Sequence, residues 1–584
     1  MRILFLIFAL FLFSTKVYSN EVEIIELHES KSLDQLVLDQ INQDTNESNN
    51  EVIDNTAESS EEIISEDTTV IEETITSQNN FWAKTNSQEV SNLLNYSRNI
   101  NSKVLQTQFD KLLNSVSLDY ENEKNREIFF LIINYFYKNG SISKAYNLLN
   151  TVNTDNHENA DFYNMIKLNY LLSTFKLEEL CNFKTDLNEK YKLTNFLIEK
   201  TDIFCLSLEN NISEADLLNT ILLETEIPTD NNFQNLLSII LGKNLEKDNN
   251  IIFEKEINSD LIFLYSAMAR IADLPLNENF LQVDSKNLAI PIILNKASPI
   301  ELRIKAANSS YLNETISIES LAALYQSVDF DTNQFNNPEE TILGLSNNVE
   351  KLMAYYYQLI NVQIFPSERL EALTNFWRFA KENNLQEIAY ALSYKTIESL
   401  EISAEYLKFS LEIATCLIYN NNFEVAYKWI SFYENSQGAD DKSSYVKIIF
   451  NLYSTEEINS ITEIINVNFD KLSNSNLKQN EELIYVLLQV LGDDTNKNLS
   501  EDYNFIYDQR LMPSLFILQN IQQSIKDNNN ENFLIYSVIS LSSKDWIDIH
   551  PAHLNLILKG LFQYENGIYL KNIIIEIFKN FKIL

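Results

Sequence analysis

The stretch REIFFLIINYFYKNGSISKAYNLLN, Arg126–Asn150, reads as a single helical hairpin. Arg126 to Lys138 carries apolar residues at helical density: Ile128, Phe129, Leu131, Ile132, Tyr135 and Phe136. Asn139-Gly140 then stops the helix, because glycine reaches the left-handed conformation of a helix C-cap at no steric cost. Ser141 or Ser143 is placed to cap the next helix, a short hydroxyl accepting from unpaired N–H groups. Ala145 is small where two helices would cross, and Leu148 and Leu149 complete the second apolar stripe.

The pattern recurs as Gly or Asn, an apolar residue two positions on, Ala three after that, then another apolar residue. Asn210, Ile212, Ala215, Leu218 and Asn421, Phe423, Ala426, Trp429 match it. Gly567, Tyr569, Asn572, Ile575 matches with Asn in the alanine slot, and Asn384, Leu385, Ala389, Leu392 more loosely. This spacing resembles the second half of a tetratricopeptide (TPR) repeat, although a strict period and most signature positions are missing. The resemblance implies antiparallel helix pairs, none able to bury its apolar face alone, stacked into an α-solenoid. A generic all-α domain is the alternative, since any helical hairpin places Gly or Asn at its turn and Ala at its crossing. The whole chain is similar to secreted helical-repeat proteins of Gram-negative bacteria, a likeness that brings no activity with it.

Composition supports an all-α chain. Seven Gly and eight Pro in 584 residues are far too few for the turns of a sandwich or barrel. Three prolines, Pro275, Pro291 and Pro299, fall close together and mark irregular connections, with Pro299 opening a helix. The formal charge is −39. So acidic a surface repels phosphate backbones, which argues against nucleic-acid partners, and it disfavours anionic lipid. It favours solubility, basic partners or loosely held cations.

Residues 1–19 read as a signal peptide. Arg2 supplies the positive start, Ile3 to Phe13 the apolar run, and Val17-Tyr18-Ser19 a cleavage site before Asn20. The alternative is an uncleaved N-terminal anchor. No later segment reaches the ~18 apolar residues of a membrane span, so no integral span is expected after signal removal. The expected location is the periplasm. Residues 20–80 hold seventeen Asp or Glu against Lys31 alone, with no aromatic residue, and read as a disordered acidic linker. Within it Leu33, Leu36, Val37 and Ile41 fall at helical spacing. Order is expected from Phe81-Trp82. Two helical-repeat regions follow, 81–328 and 341–584, divided by a polar loop from Asp329 to Glu340; Lys243 to Asn250 is a further polar run. Ile573 to Phe578 is strongly apolar, so the last helix should dock and cap the stack.

Cys181 and Cys205 are the candidate disulfide. Export would place them in an oxidising compartment, and they fall on consecutive helices on either side of a turn. The alternative is two buried thiols; Cys416 reads as buried and unpaired. His550 and His553 stand three apart without a third ligand, which fits a turn and helix cap better than zinc. Asp329, Asp331, Asn333 and Glu340 have the spacing of a calcium loop, but Gln334 replaces the glycine of its sharp turn and Pro338 intrudes. No phosphate-binding glycine loop or hydrolase nucleophile motif is present. No catalytic, cofactor or metal residue is therefore assigned. Tyr355, Tyr356, Tyr357, Trp377 and Trp429 are candidate aromatic anchors, for the core or for a groove. The expected function is a non-catalytic periplasmic scaffold or adaptor for other envelope proteins. The alternative is an envelope hydrolase acting on cell-wall material, marked by paired carboxylates in a concave cleft.

Overall fold

Helix Glu123–Lys138 and helix Ile142–Asn150 form the quoted hairpin, turning at Gly140 with φ of +80°. The computed structural model describes residues 90–584 except 92–93, 96, 98–99, 115–122, 154–156, 188–192, 244–258, 474–477, 493–509, 511 and 542. Residues 1–19, the acidic segment 20–80, Phe81-Trp82 and the run 244–250 lie outside the described residues. Every regular element among the described residues is helical.

The turn at Gly140 is a recurring device. The N–H of Ser141 donates to the Phe136 carbonyl at 2.9 Å, closing the last turn of the helix before it. The same closure runs from Asn211 to Leu206, from Leu385 to Ala380 and from Asn422 to Leu417. The residue before each donor, Asn210, Asn384 and Asn421, takes positive φ. Asparagine is the non-glycine residue best suited to that conformation, which is how a glycine-poor chain ends so many helices sharply. The alanines five residues after each left-handed position, Ala145, Ala215, Ala389 and Ala426, are fully buried. The Gly567 echo differs. Gly567 ends a 3-10 turn, the next helix is Leu570–Asn580, and Asn572 is exposed, so no crossing forms in that slot.

Neither Ser141 nor Ser143 caps the second helix of the hairpin. The cap comes from 145 residues away: Asn287 Oδ1 accepts from the Ile142 N–H at 3.1 Å, while its amide donates to the Tyr137 carbonyl at 3.0 Å. Asp284 holds that amide in turn at 2.8 Å. Lys286 approaches so closely that a Cβ at Gly140 would stand 2.0 Å from its Cβ. Gly140 is thus required both by its φ and by the segment packed on it.

Consecutive helices pack as neighbours over most of the described chain, for example Val349–Val362 with Pro366–Glu382, and Ser410–Tyr419 with Phe423–Gln437. The expected loop from Asp329 to Glu340 is mostly helical, as Thr332–Asn336 and Pro338–Leu345. Helices on its two sides pack together: Ile318–Gln326 meets Val349–Val362, and Gln358 Nε2 donates to the Tyr325 and Val328 carbonyls, each at 2.8 Å.

Contacts also join the first and last described helices. Lys103–Asn114 packs on Asn530–Leu541. The Glu576 carboxylate, on Leu570–Asn580, accepts from Ser102 Oγ and from the Lys103 and Val104 N–H groups at 3.1–3.4 Å. A carboxylate at a helix N-terminus satisfies donors that no carbonyl reaches. The final helix therefore docks as expected, but against the N-terminus of helix Lys103–Asn114 as well as against Asp441–Ser454. The apolar core is contiguous from Val90 to Ile583.

Candidate functional site

Three helices present one face each to a groove of about 780 Å³. Pro366–Glu382 contributes Thr374, Trp377, Arg378 and Lys381; Ser410–Tyr419 contributes Leu411, Glu412, Thr415 and Tyr419; Asp441–Ser454 contributes Asp441, Lys442, Tyr445, Val446 and Ile449. These positions recur every three or four residues, so each set lies on one side of its helix. Gln386, Tyr390, Lys408, Tyr433, Lys471 and Leu584 complete the lining.

The groove is stratified. Trp377, Tyr390, Leu411, Val446 and Ile449 are buried and form an apolar base, with Tyr419 and Tyr445 half-buried above it. Arg378, Lys381, Lys408, Lys442 and Lys471 are exposed at its edge. None of these five cations forms an ion pair among the described residues, whereas Lys103, Lys144, Lys200, Lys351, Lys447 and Lys579 all do. The carboxylates in the lining are Glu412 and Asp441. In a chain of 83 acidic against 44 basic residues, this is a local inversion of charge.

The aromatic base is held rigidly. Trp377 Nε1 donates to Ser393 Oγ at 2.8 Å, and its ring meets Tyr390 edge-on at 5.5 Å. Tyr390 neighbours Tyr419 at 5.0 Å, and Lys579 lies 4.9 Å from the Tyr419 ring. Lys579 also bonds Glu387, which Lys103 approaches at 3.6 Å. Burial pushes the Glu387 carboxyl up, but Lys579 and Lys103 outweigh it and hold the group below its ordinary value. Burial pushes up the phenols of Tyr390, Tyr419 and Tyr445, and the bond to Asp440 does the same for Tyr433. All four remain neutral hydroxyls at neutral pH. The groove thus offers flat apolar surface, neutral phenol donors and a cationic edge.

The other sequence candidates fall elsewhere. Cys181 and Cys205 are joined by a disulfide between Leu177–Leu187 and Leu197–Leu208, with Cα atoms 5.6 Å apart. Cys416 is a buried thiol. His550 is the N-cap of Pro551–Gln563, and buried His553 meets Ser540 Oγ at 2.8 Å. The calcium-loop spacing is a helix start: Asp331 accepts from the Gln334 N–H, and the Gln334 side chain accepts from the Asp331 N–H. Among the described residues no group of three His, Cys, Asp or Glu is arranged to hold a metal, and no helix is long and apolar enough to cross a membrane. Of the aromatic candidates, Tyr355, Tyr356, Tyr357 and Trp429 are core, and Trp377 alone lines the groove.

The five cations escaped the sequence reading because they lie on four separate elements, spread over nearly a hundred positions. The available signal was basic residues at helical spacing, Arg378 with Lys381, in an acidic chain.

No protein-family model, curated protein or solved structure matches the chain.

Proposed function

We propose that this chain is an exported, non-catalytic helical-repeat adaptor whose groove grips an acidic segment of another envelope protein. The observation that carries the reading is the charge inversion: five basic side chains without carboxylate partners among the described residues edge an aromatic groove on a chain of net charge −39. At physiological salt a charge is screened beyond about 8 Å. The wider acidic surface therefore repels most acidic partners weakly, while a segment seated in the groove meets the cations at close range. Attraction at one site against general repulsion gives specificity as much as affinity.

Recurrent left-handed turns, buried crossing alanines and neighbour-to-neighbour packing support reading the helices as a TPR-like stack of antiparallel hairpins, the architecture that builds such grooves. The N-terminal nineteen residues support export, and a disulfide fits an oxidising compartment.

The test is capture of the tagged full chain from native envelopes after mild crosslinking, beside the variant Lys381→Glu/Lys408→Glu/Lys442→Glu. The reading expects a stoichiometric envelope protein, crosslinked through an Asp/Glu-rich stretch to groove residues, and lost in the variant. Identical sets of crosslinks from both proteins would refute it.

A further inference from the structure

We propose that the groove's resident occupant is this chain's own acidic segment, residues 20–80, which an external partner must displace. The inference rests on reading the groove as a site for acidic segments and adds the regulation of that site.

Three observations converge. The first is charge: seventeen carboxylates against one lysine in residues 20–80 complement a groove edge whose five cations meet no carboxylate partner among the described residues. The second is apolar pattern. Leu33, Leu36, Val37 and Ile41 would lie on one face of a helix, with Asp34, Asp39 and Asp44 interspersed. A helix of that kind lays an apolar stripe on the aromatic base and carries carboxylates towards the edge. The third is position. Lys103, at the start of the first long described helix, approaches Glu387 at 3.6 Å, and Glu387 is the chain neighbour of Gln386 in the groove lining. The chain thus passes beside the groove soon after the acidic segment ends. About sixty residues of intervening chain span roughly 40 Å, so residues 31–44 reach the groove easily. Tethering of this kind supplies an effective concentration near the millimolar range, against which any external partner competes.

The test uses the purified full chain with the photo-crosslinking residue benzoylphenylalanine at Thr374, a neutral groove position. Irradiation at about 50 mM NaCl, where charges act over roughly 14 Å, should give intramolecular adducts mapping to residues 20–80, in a yield independent of protein concentration. The yield should fall about tenfold at about 500 mM NaCl, where the screening length is roughly 4 Å, and equally in Lys381→Glu/Lys408→Glu/Lys442→Glu. A second full chain, with the seventeen carboxylates of the segment changed to Asn or Gln and the groove untouched, should lose the adducts too. Adducts that are absent, that persist in the charge-altered chains, or that occur only as covalent dimers would overturn the inference. If envelope proteins are captured through the same position while no self-adduct forms, the inference fails and the reading of the groove stands; if neither forms, both fail.

Discussion

Replacing Lys200 by Met is the sharpest single perturbation of the fold. Lys200 is fully buried on helix Leu197–Leu208, and its Nζ lies 2.7 Å from Glu226 Oε1 and 2.6 Å from Asp230 Oδ2. Asp230 also accepts from Tyr265 OH at 2.5 Å and caps helix Asn231–Ile240 through the Phe233 N–H. One lysine thus holds two carboxylates, one of them shared by a second and a third helix. Methionine keeps the length of the side chain and removes the charge, leaving Glu226 and Asp230 uncompensated in a site where each is only 12% exposed. Breaking a buried pair from one side costs about 3–5 kcal/mol. The cost is electrostatic, so it should shrink when Glu226→Gln and Asp230→Asn are added, a change that leaves the packing in place. Denaturant unfolding followed by circular dichroism, with hydrogen exchange on the 197–208 and 231–240 helices, reads the effect. A loss below about 1 kcal/mol, or one that does not diminish in the triple variant, would refute the reasoning.

Three further outcomes are expected. Burial first, then Lys544 and His550, lower the His553 pKa from 6.5 to about 4, so the fold holds it neutral while the unfolded chain takes up a proton. Stability from this site is therefore complete above pH 6.5 and is lost as pH falls towards 4, about 2 kcal/mol of it between pH 7 and pH 5; His553→Gln should flatten that slope in pH-dependent unfolding. Gly140→Ala should cost about 2–4 kcal/mol, from the left-handed backbone and the displaced Asn287 cap, whereas Gly344→Ala, in a helix with nothing within 4 Å of the new Cβ, should gain about 0.5–1 kcal/mol in the same melts. Reducing the Cys181–Cys205 disulfide, or the variant Cys181→Ser/Cys205→Ser, should lower stability by about 3 kcal/mol for a loop of this length, seen as a shift in denaturant midpoint with and without reductant.

The local physics was legible in the sequence. Gly140, Asn210, Asn384 and Asn421 were read as helix stops, and each occupies the left-handed region that such a stop demands. What escaped was long-range. The cap on Ile142 belongs to Asn287, and no local rule links residues so far apart. Polarity misled at 329–340, where Asp331 and Gln334 are polar because they cap a helix. Aromatic residues could not be sorted by type, since Tyr355 and Trp377 are equally plausible anchors and only tertiary packing sends one to the core and the other to the groove. The net charge pointed to basic partners, while the structure gathers at one place five cations that form no ion pair among the described residues. That clustering arises only when four elements far apart in sequence come together.

The most direct test of the central claim is photo-crosslinking in the living envelope, with benzoylphenylalanine at Thr374 in the groove and, as a control, at exposed Leu217 on helix Ile212–Thr225. The account predicts adducts from the groove position that map to Asp/Glu-rich stretches and disappear with Lys381→Glu/Lys408→Glu/Lys442→Glu. Adducts from Leu217 but none from Thr374, or groove adducts indifferent to the charge reversal, would contradict it.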